Sequence, residues 1–185
     1  TEALVFSSIE RGEADKMYIL YTEEFGLVRA RATAVRKESS KMRYALQSAS
    51  RSHVGLVRGK AGWRLAGASL LTGASGVPAE GLRAFMRLAR LLERLVISEE
   101  RNAYLFETMK EAHDMFMKKE TDERPIVELL SAARILYALG YLSSESFGEA
   151  LLTRLRYEEA DLTETRAKQK ALLDSVNKAI AETQL

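Results

Sequence analysis

The chain has 185 residues, 46% of them hydrophobic and 29% charged, with a net charge of +2 and no cysteine. That length suits one good-sized domain or two small ones, and the composition is that of a folded protein rather than a disordered one. The missing cysteines exclude disulfides, zinc–cysteine sites and thiol catalysis, and they fit a reducing compartment.

The opening residues, TEALVFSSIERGEAD, have no basic start followed by a long apolar run, so no signal peptide is expected. The longest apolar stretches, such as VGLV and AGASLL, are too short to span a bilayer, and a cytoplasmic location is expected. EALVFSSIE alternates and is rich in Val, Phe and Ile. KMYILYTEEFG places Met17, Ile19 and Tyr21 on one face and Tyr18 and Leu20 on the other. GLVRARATAV follows a turn with Glu23, Glu24 and Gly26, and it puts Arg29 and Arg31 on the outer face of a strand. A basic loop, RKESSKMR, leaves that strand, and YALQSAS leads into a final hairpin, RSHVGLVRG and GWRLAGASLL around the tight turn GKAG. Runs of period two bounded by glycine turns read as five strands in hairpins. They make a small barrel or sandwich over residues 1–72. The strands are too closely spaced for crossover helices, so an antiparallel sheet is expected.

Gly73, Gly76, Pro78 and Gly81 mark a linker over residues 73–81, and an all-α domain is expected over 82–185. In PAEGLRAFMRLARLLERLVI, Leu82, Phe85, Met86, Ala89, Leu92 and Val96 recur at helical spacing. EERNAYLFETMKEAHDMFMKK places Leu105, Phe106, Met109, Ala112, Phe116 and Met117 on one side. RPIVELLSAARILYALG starts with Pro125 in its first turn and stops at Gly140. A short helix is expected after LSSES, capped by Ser144 or Ser146. A last one is expected from Asp161, with Glu164 completing a capping box. The expected bundle has four or five helices.

Catalytic constellations are scarce, and no enzyme activity is expected. His53 and His113 are far apart and show no metal-ligand spacing, so no metal and no cofactor is expected. His113, near the apolar face of its helix, reads as a satisfied core or boundary residue. GKAGW has the wrong spacing for a phosphate loop. The carboxylate pairs Glu23–Glu24, Glu99–Glu100 and Glu158–Glu159 read as solvated.

Charge points elsewhere. Residues 1–67 carry 12 Lys and Arg against 7 Asp and Glu, a net of +5, and the remainder carries 16 against 19, a net of −3. Arg29, Arg31, Arg36, Lys37, Lys41, Arg43, Arg51, Arg58, Lys60 and Arg64 face a single acidic residue, Glu38, between positions 29 and 64. Such a segregated field attracts polyanions. Arg36, Lys37, Lys41 and Arg43 cannot all be buried, so they face water or a partner. On a small barrel, cations track phosphates while rings stack on bases. The candidate rings are Tyr18, Tyr21, Tyr44 and Trp63, for each of which core packing is the competing reading.

Taken together, the order and spacing resemble the RecO family of bacterial recombination mediators. The resemblance rests on the Gly12-Glu13-x-Asp15 element after the first strand and on YTEEFGLVRARATAVRK. It extends through SSKMRYALQSASRSHVGLVRGKAGWRLAGASLL and, downstream, LLSAARILYALGYL, covering about residues 2–142. It implies a five-stranded OB barrel followed by an α-helical domain. It also implies binding to single- and double-stranded DNA, strand annealing, and work with RecR to load RecA onto strands coated by single-strand-binding protein. On such a barrel the cations of the basic segment become the expected DNA contacts: Arg29, Arg31, Arg36, Lys37, Lys41, Arg43, Arg51, Arg58 and Lys60. By the same resemblance Leu130, Arg134, Ile135 and Tyr137 would receive the acidic, Phe-ended tail of single-strand-binding protein. Where many members carry a four-cysteine zinc motif, this chain reads GYLSSESFGEALLTRLRYEEAD, so no zinc is expected. A second class stays open: a protein-interaction adaptor that keeps the barrel as a docking module without strong DNA binding. RNA binding is a near variant of the first.

Overall fold

A computed structural model of the chain describes residues 1–37, 40–118, 122–145 and 147–183. Five strands form a closed barrel in the order β1-β2-β3-β5-β4: β1 (Glu2–Arg11), β2 (Asp15–Thr22), β3 (Gly26–Ala32), β4 (Arg51–Gly59) and β5 (Gly62–Thr72). A single helical turn, α1 (Met42–Ala45), lies between β3 and β4. Alternation builds this barrel directly. In β3, Val28, Ala30 and Ala32 are wholly buried while Arg29 and Arg31 face solvent. The inward set also includes Ala3, Val5, Tyr18, Leu20, Val54 and Leu65.

The all-antiparallel expectation fails at one seam. β3 and β5 pair in parallel, with Ala30 opposite Trp63 and Arg31 opposite Arg64. Five strands closed in a ring cannot all be antiparallel to both neighbours, because the directions must alternate around an odd number. The segment with α1 supplies the crossover that a parallel pair needs.

Two compact units result. The first comprises Thr1–Gly76 with Ile97–Phe106, and the second comprises Val77–Val96 with the chain from Glu107 onward. In the first unit the outer face of β2 is covered as well as its inner face. Ile19 and Tyr21 are buried, and the Tyr21 ring lies 5.9 Å from Phe6 and 6.2 Å from Phe106. The turn before β3 is tied by Thr22, whose hydroxyl donates to the Gly26 carbonyl at 3.0 Å and accepts the Phe25 N–H at 3.0 Å. Gly26 has φ +64°, and a Cβ there would overlap the Glu100 carbonyl.

The second unit is helical: α2 (Ala79–Leu95), α3 (Ala103–Phe116, the part from Glu107), α4 (Arg124–Ala138), α5 (Glu149–Thr153), α6 (Glu159–Ala167) and α7 (Gln169–Glu182). In α2 the buried set is Gly81, Ala84, Phe85, Leu88, Ala89, Leu92 and Leu95, while Leu82 and Met86 are only half-buried, so the face is rotated from the expected one. Gly81 allows the close approach of α3, since a Cβ there would overlap the Phe116 carbonyl. α4 starts with Pro125 in its first turn and ends before Gly140, as its sequence predicts.

Two expected helix starts are not found. α5 follows Gly148 with no side-chain cap; the Ser144 carbonyl, four residues before, accepts from the N–H groups of Phe147 and Gly148. Ser146 lies outside the described residues. The helix expected from Asp161 is two, α6 and α7, joined at Lys168. The Lys168 ammonium donates to the Phe147 carbonyl at 3.3 Å and to Glu164 at 2.7 Å, which anchors the break. Asp161 sits inside the first turn of α6, and its carboxylate is committed to arginines rather than to capping. Among the described residues no helix is long and apolar enough to cross a membrane.

Candidate nucleic-acid interface

Every basic residue singled out in the barrel except Arg51 is exposed, and two cavities each gather some of them. The β4–β5 turn, Lys60–Ala61, folds back beside β3 through the parallel seam. A shallow cavity of about 430 Å³ forms there, with Val57 and Trp63 on its floor and Arg31, Lys60 and Arg64 around it. Arg29 projects from the same face of β3, two residues before Arg31.

Arg31 also connects this cavity to the basic loop. Its Nε and Nη2 donate to one oxygen of Asp15 at 3.0 and 2.6 Å. The other Asp15 oxygen accepts the backbone N–H of Ala34 at 2.9 Å. Ala34 has φ +53°, so the carboxylate holds a turn that the residue by itself disfavours. The Ala34 N–H first, and then Arg31, keep the Asp15 carboxyl below the ordinary aspartate range. Just beyond, the Arg36 N–H donates to the Ala14 carbonyl at 3.1 Å, and its guanidinium reaches the Gly12 carbonyl and Glu10, each at 3.3 Å. The element around Gly12, Glu13 and Asp15 is therefore the clamp that presents Arg36 and Lys37.

A second cavity, of about 440 Å³, opens on the far side of this clamp, with Lys16, Arg36, Arg43 and Gln47 along it and Tyr18 and Val35 at its base. Lys16 and Gln47 are not legible as site residues in the sequence, since the strand register, with Lys16 opposite Ala32, brings the first there and the turn after α1 the second. Arg64 stood in the basic window but not among the expected contacts. α1 carries Arg43 and Tyr44 on its outer side, beside exposed Lys41. Glu38, the one acidic residue of the loop, lies outside the described residues.

The cations differ in how they are engaged. Arg36 and Arg58 hold Glu10 and Glu99 in exposed pairs, which are weak and open to competition by phosphate, whereas Arg31 is held by the part-buried carboxylate of Asp15. Among the described residues, Lys41, Arg43, Lys60 and Arg64 have no carboxylate within ion-pairing distance. Arg51 is half-buried, 3.5 Å from Glu2 and 3.4 Å from the Thr72 hydroxyl. It ties the edges of β1, β4 and β5, so its expected DNA contact gives way to a structural one.

The four candidate rings separate in the same way. Tyr18 and Tyr21 are core residues, 2% and 1% exposed. Trp63 packs on Phe25 at 4.9 Å, donates to Glu99 at 2.9 Å and lies under the Arg58 guanidinium. Tyr44 stands in solvent.

In the helical unit the expected partner contacts turn inward. Leu130, Arg134 and Ile135 have no exposed surface, and Tyr137 is half-buried. The Arg134 guanidinium is used within the unit. It donates to the carbonyls of Leu151, Leu155 and Arg156 at 3.1 to 3.4 Å, faces Asp161 at 3.5 Å and lies 4.8 Å from the Tyr157 ring centroid. A fully buried arginine needs such partners, and none of its donors is left for a carboxylate from outside. The open groove of this unit is elsewhere, between α2, α4 and α7. It holds about 500 Å³, with Leu91, Leu129, Leu173 and Val176 on its floor and Arg90 and Arg94 at its rim beside Arg87, which Glu128 holds at 2.6 and 2.7 Å. His113 is a core residue, edge-on to Phe85 at 5.2 Å. Among the described residues no cluster of three His, Asp or Glu side chains is placed to hold a metal ion.

Compared with known families, residues 1–72 match the model described as "Recombination protein O N terminal". The match runs from the start of the barrel to the last residue of β5. No curated protein matches the chain.

Proposed function

We propose, from the match of residues 1–72 to the model of the recombination protein O N-terminal domain, that the chain is a member of that family and that its barrel binds single-stranded DNA through Lys60, Arg64, Arg31, Arg36 and Arg43. A role in DNA recombination and repair goes with the family. The observation that carries the finer reading is the Asp15 clamp, whose carboxylate binds Arg31 of one cation-lined cavity and the Ala34 turn that leads to Arg36 of the other. Phosphates suit such cavities, since each one neutralised releases condensed counterions. Duplex DNA can use the same phosphate contacts. Annealing of complementary strands then follows from holding two strands on one basic surface, and loading of RecA together with RecR is the mediator activity we assign to it. This is a binding role, not catalysis.

The test is fluorescence anisotropy of the whole chain with labelled single-stranded DNA at two salt concentrations. Affinity should fall steeply with salt. Arg36, Lys37, Lys41 and Arg43 changed together to Ala should abolish most binding and leave the melting temperature nearly unchanged, because the one ion pair they make among the described residues, Arg36 with Glu10, is exposed. Unaltered affinity in that variant sinks the reading. Salt-insensitive or absent DNA binding by the wild type, with partner capture through the helical unit, would favour the adaptor instead.

A second observation bears on the tail of single-strand-binding protein. Arg134 is inaccessible, whereas the α2–α4–α7 groove combines an apolar floor with arginines at its edge. That chemistry suits an acidic, Phe-ended peptide, and we place the tail there. Arg90→Glu should weaken capture of a tail peptide about tenfold or more by reversing charge at the rim. Equal capture by wild type and variant rejects this placement.

A further inference from the structure

Tyr44 is a large ring left 60% exposed on a backbone that is otherwise pinned. Met42 packs against the barrel core, and Ala45 and Leu46 are buried. The Ala45 carbonyl accepts from the hydroxyls of both Ser50 and Ser52. The Leu46 N–H closes the turn on the Met42 carbonyl at 3.1 Å. The turn is thus fixed on its inner side, while its outer side points an aromatic ring into water. Arg43 donates to the Tyr44 hydroxyl at 3.0 Å, and its guanidinium carbon lies 5.0 Å from the ring centroid.

Leaving an aromatic surface in water is unfavourable, and covering it is worth a good part of a binding event. The chemistry around the ring decides what covers it. An apolar protein surface would need an apolar surround, but Tyr44 is flanked in sequence by Arg43 and Lys41. A cationic surround with one flat ring suits a polyanion that itself carries flat rings, which is an unpaired nucleic-acid strand. A duplex offers its phosphates but keeps its bases stacked inside.

We propose that Tyr44 is the stacking platform of this interface, taking one unpaired base on its ring while Arg43 and Arg36 hold flanking phosphates, and that it sets the preference for single strand over duplex. This rests on the DNA-binding reading given above. The remaining candidate rings cannot serve in the same way, since Tyr18 and Tyr21 are in the core and Trp63 is half-buried against the Phe25 ring, whereas Tyr44 is engaged only by Arg43 among the described residues.

Anisotropy titrations of the whole chain with labelled oligo-dT and with a labelled duplex, at one low salt concentration, separate the possibilities. Tyr44→Ala should weaken oligo-dT binding about fivefold to a hundredfold, the range of one stacked base. It should leave duplex affinity and melting temperature as in the wild type. Tyr44→Phe keeps the ring and should keep the oligo-dT affinity. The salt slope should be unchanged in both variants, since neither removes a phosphate contact. An unchanged oligo-dT affinity in Tyr44→Ala, or equal losses on both DNAs, overturns the stacking role while the DNA-binding reading stands. A wild-type chain that binds neither DNA overturns that reading, and the stacking role with it.

Discussion

Both oxygens of Asp15 are occupied, one by Arg31 and the other by the Ala34 N–H, although the side chain lies at the surface. Its folded pKa is lowered, chiefly by the Ala34 N–H and next by Arg31. A group whose pKa is depressed on folding adds stability above its unfolded value, about 3.9 for Asp, and loses it as pH falls through the folded value. Asp15→Ala should therefore lower the melting temperature at neutral pH. The gap to wild type should close as pH drops below about 4, which melting curves across pH 2 to 7 would show. A gap that persists unchanged at the acid end would mean that ionisation of Asp15 is not what holds the turn. The same substitution should also weaken DNA binding, because it frees the turn that presents Arg36 and Lys37.

The turns that connect elements decide more of this surface than the strands themselves. β2 and β3 are joined by a turn in which Thr22 makes both hydrogen bonds and Gly26 takes the positive φ. The backbone of Glu100 fills the space where a Cβ would stand. Gly26→Ala combines a strained φ with an overlap against backbone, and should cost about 2–5 kcal/mol of barrel stability. Chemical denaturation monitored by Trp63 fluorescence would report it, and a change below about 0.5 kcal/mol would show that the Glu100 segment yields. At the other end of β3 the parallel seam with β5 brings Lys60 and Arg64 to Arg31. Without that seam Arg31 and Arg64, 33 positions apart in sequence, would not line the same cavity.

Across the whole molecule, charge and burial divide the labour between the units. The barrel segment is net positive and carries the proposed DNA contacts, whereas the rest is net negative and contains the fully buried Arg134. Arg134 links α4 to the Leu151 carbonyl in α5, to the Arg156 carbonyl after it and to Asp161 of α6. Arg134→Ala leaves those carbonyls and part of the Asp161 carboxylate without their partner, and should destabilise the helical unit by about 3–5 kcal/mol. Denaturation followed by circular dichroism would measure the loss. Salt-dependent DNA binding, measured at low temperature, should survive. Normal stability combined with lost tail-peptide capture would instead return Arg134 to the role of a surface contact.

The strand pattern, the outward Arg29 and Arg31, the helix bounded by Pro125 and Gly140, and the basic character of the segment between β3 and β4 are all readable from the chain alone. Each depends on period, on turn chemistry or on the cost of burying charge, and these are local. What the chain alone leaves open depends on contacts between residues distant in sequence. The parallel seam follows from closing an odd number of strands. The burial of Tyr21 needs Phe6 and Phe106, and that of Arg134 needs carbonyls and a carboxylate some 17 to 27 positions later. The separation of four similar aromatics into two core rings, one engaged ring and one exposed ring is likewise a tertiary result, because exposure is decided by what packs against a side chain and not by its own place in a strand or turn.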